Sequence, residues 1–78
     1  MSTSRSEEQL ANFVHNVAVL RRRHGLSKRA MAKILHIAPR TLNQMEEGHI
    51  PMGMKVNTIY YMAAFFHISA PELLRRRF

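Results

Sequence analysis

Lys and Arg side chains, which can donate hydrogen bonds to a polyanion, are concentrated in the first half of this sequence. The chain carries twelve Lys and Arg against five acids, a formal net charge of +7. All the acids are Glu, and none lies between positions 9 and 45. The cations inside that window are Arg21, Arg22, Arg23, Lys28, Arg29, Lys33 and Arg40. Such a basic block is typical of a polyanion-binding segment, although a generic solubilising surface remains the alternative.

Other reactive chemistry is sparse in this chain. It has no Cys and no Asp, no cluster of carboxylates and no glycine-rich phosphate loop. The histidines are far apart in sequence and form no His-x-x-x-His pair: they are His15, His24, His36, His49 and His67. We therefore predict that the protein is not an enzyme, and that it holds no metal ion, no cofactor and no small-molecule ligand.

The composition predicts one small all-α domain. The chain has 78 residues, 46% of them hydrophobic, and only six Gly and Pro together. Its β-branched residues form no alternating runs, and no apolar run is long enough to cross a membrane. The N-terminus also lacks the apolar core of a signal peptide, so we predict a soluble cytoplasmic protein. Residues 1–6 are expected to be disordered, and residues 7–78 to form the domain.

Five helices account for the apolar periodicity and for the helix-breaking residues. The predicted spans are about Glu7–Arg23, Lys28–Leu35, Pro39–Glu47 and Lys55–Phe66, with a fifth helix opening at Ala70-Pro71-Glu72. Ser6 and Ser27 are predicted N-caps, and Pro39 suits a first helical position. The residues predicted to face inward are Leu10, Phe13, Val14, Val17, Leu20, Ala32, Leu35, Leu42, Met45, Val56, Ile59, Met62, Ala63 and Phe66, with Met31 half-buried.

Several charges oppose the helix dipoles. Lys28 and Arg29 begin the second predicted helix and Arg40 lies at the second position of the third, where cations are disfavoured. Glu46 lies near the end of the third helix, which is unfavourable for an acid. A bound phosphate at the start of the second helix would explain its cations, and tolerated surface charge is the alternative. Two short helices joined by a tight turn, with this charge, suggest a module that places one helix in a DNA groove.

The ordered residues between about Asn16 and Leu74 resemble a known family. They are Leu20-Arg21, Gly25-Leu26-Ser27, Met31-Ala32, Leu35, Ile37, Thr41-Leu42, Glu46, Gly48, Pro51, Met62-Ala63, Phe66, Ile68-Ser69 and Leu73. Together they resemble the helix-turn-helix domains of the phage-repressor and Cro type, also called the xenobiotic-response-element family. The sequence departs from the family at three positions. The family usually has Gln where this chain has Lys28, Gly where it has His36, and Ser or Thr where it has Ala38.

The resemblance implies a five-helix repressor-like fold and a DNA-binding transcriptional regulator, expected to be a repressor. It implies that the second and third helices form the helix-turn-helix, with the third in the major groove of double-stranded DNA. The implied base-contacting positions are Pro39, Arg40, Thr41, Asn43 and Gln44, and the implied phosphate contacts are Lys28 and Arg29. Arg40 can instead bind a phosphate, and Asn43 and Gln44 can be ordinary helix surface.

Two further expectations concern packing and assembly. In the family, the position of Glu46 pairs with that of Arg21, which implies a structural salt bridge between the first and third helices. Aromatic residues on the outward side of the fourth helix suggest a homodimer interface formed by Tyr60, Tyr61, Ala64, Phe65 and Phe78. Cover of these residues by the N-terminus is the alternative. A protein-interaction module on the same scaffold, antitoxin-like or coactivator-like, is the alternative function.

Overall fold

The computed structural model describes residues 5–78 and confirms an all-helical fold. Within this range there are five helices and no strand. The helices are α1 (Arg5–Arg23), α2 (Lys28–Leu35), α3 (Pro39–Glu46), α4 (Val56–Phe66) and α5 (Ala70–Arg75). Each boundary of α2, α3 and α4 falls within one residue of its predicted position. None of the helices in residues 5–78 is long and apolar enough to cross a membrane.

The start of α1 differs from its prediction. The helix begins at Arg5, so Ser6 lies inside it and does not cap it, and Arg5 and Ser6 are ordered as helix. Glu7 and Glu8 lie in the first turn of α1, where their negative charges interact favourably with the positive end of the helix dipole. This interaction stabilises a helix that begins at Arg5. The rest of the segment predicted to be disordered, residues 1–4, lies outside the described residues.

Two of the later helices begin with a capping serine. The hydroxyl of Ser27 accepts a hydrogen bond from the N–H of Ala30 at 3.0 Å, and Ser69 accepts one from Glu72 at 3.3 Å. Ala38 at the start of α3 supplies no side-chain cap, although Pro39 at the next position has no N–H to satisfy. Of the two neighbouring helices, α2 therefore begins with a side-chain cap and α3 begins without one.

Left-handed histidines end α2 and α4. His36 has φ 57° and His67 has φ 56°, in a region that glycine occupies without steric cost. In each case the residue after the histidine donates a backbone hydrogen bond to a carbonyl of the last helical turn. The N–H of Ile37 donates to the carbonyl of Ala32 at 3.0 Å, and the N–H of Ile68 donates to the carbonyl of Ala63 at 3.2 Å. The resemblance, which places Gly at the position of His36, is consistent with such a conformation there, and it gave no such indication for His67.

All five helices contribute to the single core. Its fully buried side chains include Phe13, Val17, Met31, Leu35, Leu42, Met45, Met62 and Leu73. Two inward-facing predictions were wrong: Met31 is fully buried and not half-buried, while Val56 is 62% exposed. On α4 the inward side is centred between Ile59 and Met62, and Val56 lies roughly a quarter turn around the helix from that centre.

Two buried asparagines of α1 fasten the C-terminal residues to the core. Asn16 Nδ2 donates to the carbonyls of Leu73 at 2.8 Å and Arg76 at 2.7 Å, and its Oδ1 accepts from the N–H of Phe78 at 2.9 Å. Asn12 does the same one turn earlier, through the carbonyl of Leu74. These bonds satisfy backbone groups that α5 leaves unpaired at its C-terminal end.

Candidate nucleic-acid interface

The outward side of α3 is polar and uncovered. Its inward side is fixed by Leu42 and Met45, which are fully buried in the core. Residues three and four apart share a side of a helix, so burial of these two turns Arg40, Asn43 and Gln44 outward. All three are exposed, as is Pro39, and Thr41 is half-buried. A row of side chains with hydrogen-bonding groups at their ends therefore follows the outer side of α3.

The cationic start of α2 lies against this row. Lys28 Nζ donates a hydrogen bond to Asn43 Oδ1 at 3.0 Å, joining the first turn of α2 to the middle of α3. Arg29, the next residue, is exposed. The bond shows that both predicted sets of contacts belong to one surface. We call it the α2–α3 surface, formed by Lys28, Arg29, Pro39, Arg40, Thr41, Asn43 and Gln44.

An ion pair fixes α3 against α1. Arg21 forms two hydrogen bonds to the carboxylate of Glu46, one from Nε to Oε2 and one from Nη2 to Oε1 at 2.9 Å. The side chains are only 15% and 5% exposed, respectively. The hydrogen bond to Glu46 raises the pKa of Arg21 above its usual value. The negative charge of Glu46 is therefore paired with Arg21, so Glu46 adds no unpaired negative charge beside the α2–α3 surface.

Arg21 also orders the start of α2. Its Nη1 donates to the backbone carbonyl of Leu26 at 2.9 Å, immediately before the capping residue Ser27. The same guanidinium therefore contacts α3 through Glu46 and the residue that leads into α2. Lys28 lies two residues after Leu26, and Asn43 lies three residues before Glu46 on the same helix. Arg21 therefore helps to set the relative position of the two halves of the α2–α3 surface.

The loop between α3 and α4 borders the α2–α3 surface. Gln44 lines a shallow groove together with Glu47, His49, Ile50, Pro51 and Met52. Ile50 and Met52 are exposed, although both are apolar. No role was predicted for these loop residues from the sequence. Their position beside Gln44 depends on how the loop returns to the core, which no local pattern in the sequence specifies.

A second uncovered surface lies on α4 and is apolar. α4 contains no Lys, Arg, Asp or Glu, and it exposes Tyr60, Tyr61 and Phe65. The ring of Tyr61 stacks on that of His36, with the ring centres 3.9 Å apart, so this surface adjoins the turn between α2 and α3. We call it the α4 face, formed by Val56, Tyr60, Tyr61, Ala64 and Phe65.

Phe78 differs from the other residues predicted for a dimer interface. It is half-buried against the core of its own chain, and its N–H is bonded to Asn16. The guanidinium of Arg76 lies 4.8 Å from the centre of its ring. Phe78 is therefore engaged within the monomer, whereas Tyr60, Tyr61, Ala64 and Phe65 are exposed.

No side-chain cluster in residues 5–78 gathers three His or acidic groups that could hold a metal ion. Comparisons with protein-family models, with curated proteins and with solved structures find no match to this chain. The α2–α3 surface and the α4 face are therefore the features from which a function is inferred.

Proposed function

We propose that this protein binds double-stranded DNA in a sequence-specific manner and regulates transcription, with α2 and α3 as a helix-turn-helix. The observation that carries the proposal is the bond between Lys28 and Asn43. It holds the cationic start of one helix beside the outward polar side of the next. Such a surface combines contacts to the DNA backbone, which give affinity, with contacts to base edges, which give specificity.

The side chains of α3 have the chemistry that base recognition needs. The guanidinium of Arg40 can donate two parallel hydrogen bonds to O6 and N7 of guanine. The amide of Gln44 can donate and accept at once, which suits adenine. Thr41 offers a hydroxyl, and the ring of Pro39 offers an apolar contact for a thymine methyl group. Arg40 and Gln44 are exposed, so a DNA groove can reach them without unfolding.

The start of α2 is suited to a phosphate. Its unpaired backbone N–H groups and its dipole attract an anion, and Lys28 and Arg29 add two positive charges there. In the free protein these charges oppose the dipole, which costs a few tenths of a kcal/mol each. A bound phosphate would turn this unfavourable contribution into a favourable one, because it pairs with both cations and with the N–H groups.

A homodimer is the second part of the proposal. The α4 face is uncharged and rich in aromatic side chains, as buried centres of protein interfaces are. Two copies joined through this face would present two α3 helices to successive turns of the major groove, and the protein would act as a repressor by occupying its operator. Sedimentation of the free protein and of its DNA complex tests the dimer, which a monomer in both measurements contradicts.

Selection of bound sites from a pool of random duplexes tests the proposed function. We expect enrichment of one sequence with two inverted half-sites about 10 base pairs apart, centre to centre. A variant in which Arg40 and Gln44 are both changed to Ala is the control, since both side chains are exposed and the fold should survive. This control should lose the enrichment. Failure of the wild-type protein to enrich any sequence contradicts specific DNA binding.

A protein-interaction module is the second candidate, and the exposed α4 face favours it. An antitoxin-like or coactivator-like protein would use this face to bind a different protein chain. The two candidates differ in their response to DNA. A pure interaction module shows little binding to a random duplex at low salt, whereas a DNA-binding protein binds any duplex through the phosphates.

A further inference from the structure

We propose that Lys28 and Asn43 act as one recognition unit that reads a guanine in the major groove. The inference rests on the proposed function and deepens it, because it names the base that this part of the surface selects. It also gives Lys28 a specificity-determining role in addition to its charge. The observation is the 3.0 Å hydrogen bond from Lys28 Nζ to Asn43 Oδ1, made between two exposed side chains.

The chemistry of lysine fixes the orientation of the asparagine amide. An ammonium group carries donors only and has no acceptor, so it can bond only to the oxygen of an amide. With Oδ1 turned toward Lys28, the amide nitrogen of Asn43 points away from α2. The reverse orientation is excluded chemically, because it would place the amide donors against the ammonium donors.

Most of the remaining hydrogen-bonding capacity of the pair is donor capacity. One N–H of Lys28 is used by Asn43, which leaves two, and the amide nitrogen of Asn43 contributes two more. The Asn43 oxygen shares its two lone pairs with the ammonium group and keeps only one for another donor. A free asparagine prefers adenine, because it donates to N7 and accepts from N6. With four free donors against one remaining lone pair, the pair favours a base edge made of acceptors more than a free asparagine does.

Guanine is the base whose major-groove edge matches a surface of donors. Its O6 and N7 are neighbouring acceptors, whereas adenine and cytosine each present an amino group there. A phosphate is also rich in acceptors and would satisfy the same pair. The position of Asn43 favours a base contact over a phosphate contact. Asn43 lies three residues after Arg40 and directly before Gln44, on the outward side of α3.

Site selection with three proteins tests this inference: the wild type, Lys28→Gln and Lys33→Gln. Glutamine at position 28 can still donate to Asn43 Oδ1, but it adds a carbonyl oxygen that accepts. The Lys28→Gln pair therefore presents a donor and an acceptor, which suits adenine. Lys33 is an exposed residue of the same helix, and its replacement removes the same charge as a matched control.

We expect wild-type sites and Lys33→Gln sites to share a guanine that Lys28→Gln replaces with adenine. On the wild-type site, exchanging this guanine for adenine should weaken wild-type binding by roughly tenfold to a hundredfold, the range for one good bidentate base contact. If Lys28→Gln and Lys33→Gln weaken all sites equally and select the same bases, Lys28 contacts phosphate alone and the inference is overturned. If the wild type selects no sequence, the proposed function fails and this inference fails with it.

Discussion

Arg40 is the residue on which the proposed base recognition by α3 depends most. It is exposed at the second position of the helix, where the dipole makes a cation unfavourable unless it has a partner outside the protein. Nothing in its local sequence distinguishes a guanine contact from a phosphate contact, because both accept from a guanidinium. The two contacts are distinguished only by whether the loss of affinity in Arg40→Ala depends on the DNA sequence.

Arg40→Ala should cost roughly 1–3 kcal/mol of binding to the selected site and relax the preference at one base pair. Arg29→Ala is the matched control. It removes an exposed cation from the start of α2 and should weaken all duplexes by a similar factor. Competition binding against single-base variants of the site measures both effects. An equal loss on every sequence for Arg40→Ala shows a phosphate contact and contradicts base reading.

Glu46→Ala should destabilise the fold more than a surface charge would. The change leaves the guanidinium of Arg21 largely buried and without its carboxylate partner. We expect a loss of about 2–3 kcal/mol, below the full range for buried pairs because Arg21 keeps some contact with solvent and its bond to Leu26. That corresponds to a fall in Tm of roughly 10 °C or more.

Thermal unfolding followed by circular dichroism measures this loss, with Glu47→Ala as the control. Glu47 is the exposed neighbour of Glu46, and its removal should change stability by about 0.5 kcal/mol at most. The bond to Glu46 raises the pKa of Arg21 in the folded protein. The stability from this group is therefore fully present below the pKa of Arg21 in the unfolded chain, and it is lost only as the pH rises through the higher folded pKa. Equal Tm values for the two variants contradict a structural role of the ion pair.

At the scale of the elements, α3 lacks a side-chain cap. Ala38 has the extended backbone of an N-cap, with φ −72° and ψ 148°, but no side-chain oxygen to accept from the first turn. Ala38→Ser should therefore stabilise the protein by about 1 kcal/mol. Ala64→Ser is the control, because it makes the same change inside α4 at an exposed position and should destabilise slightly. Chemical denaturation measures both, and a lower stability of Ala38→Ser contradicts this account of the cap.

The helix spans could be predicted from sequence because their signals are local. Ser27, Pro39 and Gly48 mark ends through their own backbone preferences, and apolar spacing marks the faces between them. The position of Val56 could not be predicted in this way. On a helix that is apolar on several sides, the buried side is chosen by the neighbours, and α4 turns Val56 toward solvent.

The roles of Asn12 and Asn16 were equally invisible in the sequence. Both sit in the apolar stripe of α1, yet they bond to carbonyls that lie 57 or more residues away. Asparagine is a poor candidate for a core position until its partners are known, since a buried amide without partners is costly. The partners are backbone groups in the last turn of α5 and just after it, which any sequence could supply, so no residue pattern signals the pairing.

At the scale of the whole molecule, the α2–α3 surface and the α4 face differ in charge. The α2–α3 surface carries cations with no free acid from Glu46, whereas the α4 face has no charged side chain. The molecule measures 37 × 25 × 21 Å, comparable with the roughly 34 Å of one turn of B-DNA. One copy can therefore cover one half-site, and recognition of two successive turns needs a second copy. The α4 face is where we place that contact.

The central claim, that the α2–α3 surface binds double-stranded DNA, is tested most directly by titrating a labelled random duplex at two salt concentrations. On a random duplex, which lacks the specific bases, Lys28, Arg29 and Arg40 from each of two copies would contact phosphates, and about six charges would be neutralised. Affinity should then fall by about a thousandfold between roughly 50 and 200 mM salt. Changing Lys28 and Arg29 to Gln should make this dependence shallower without altering the helical content. Absence of binding at the lower salt concentration, or an affinity that salt does not change, contradicts the account.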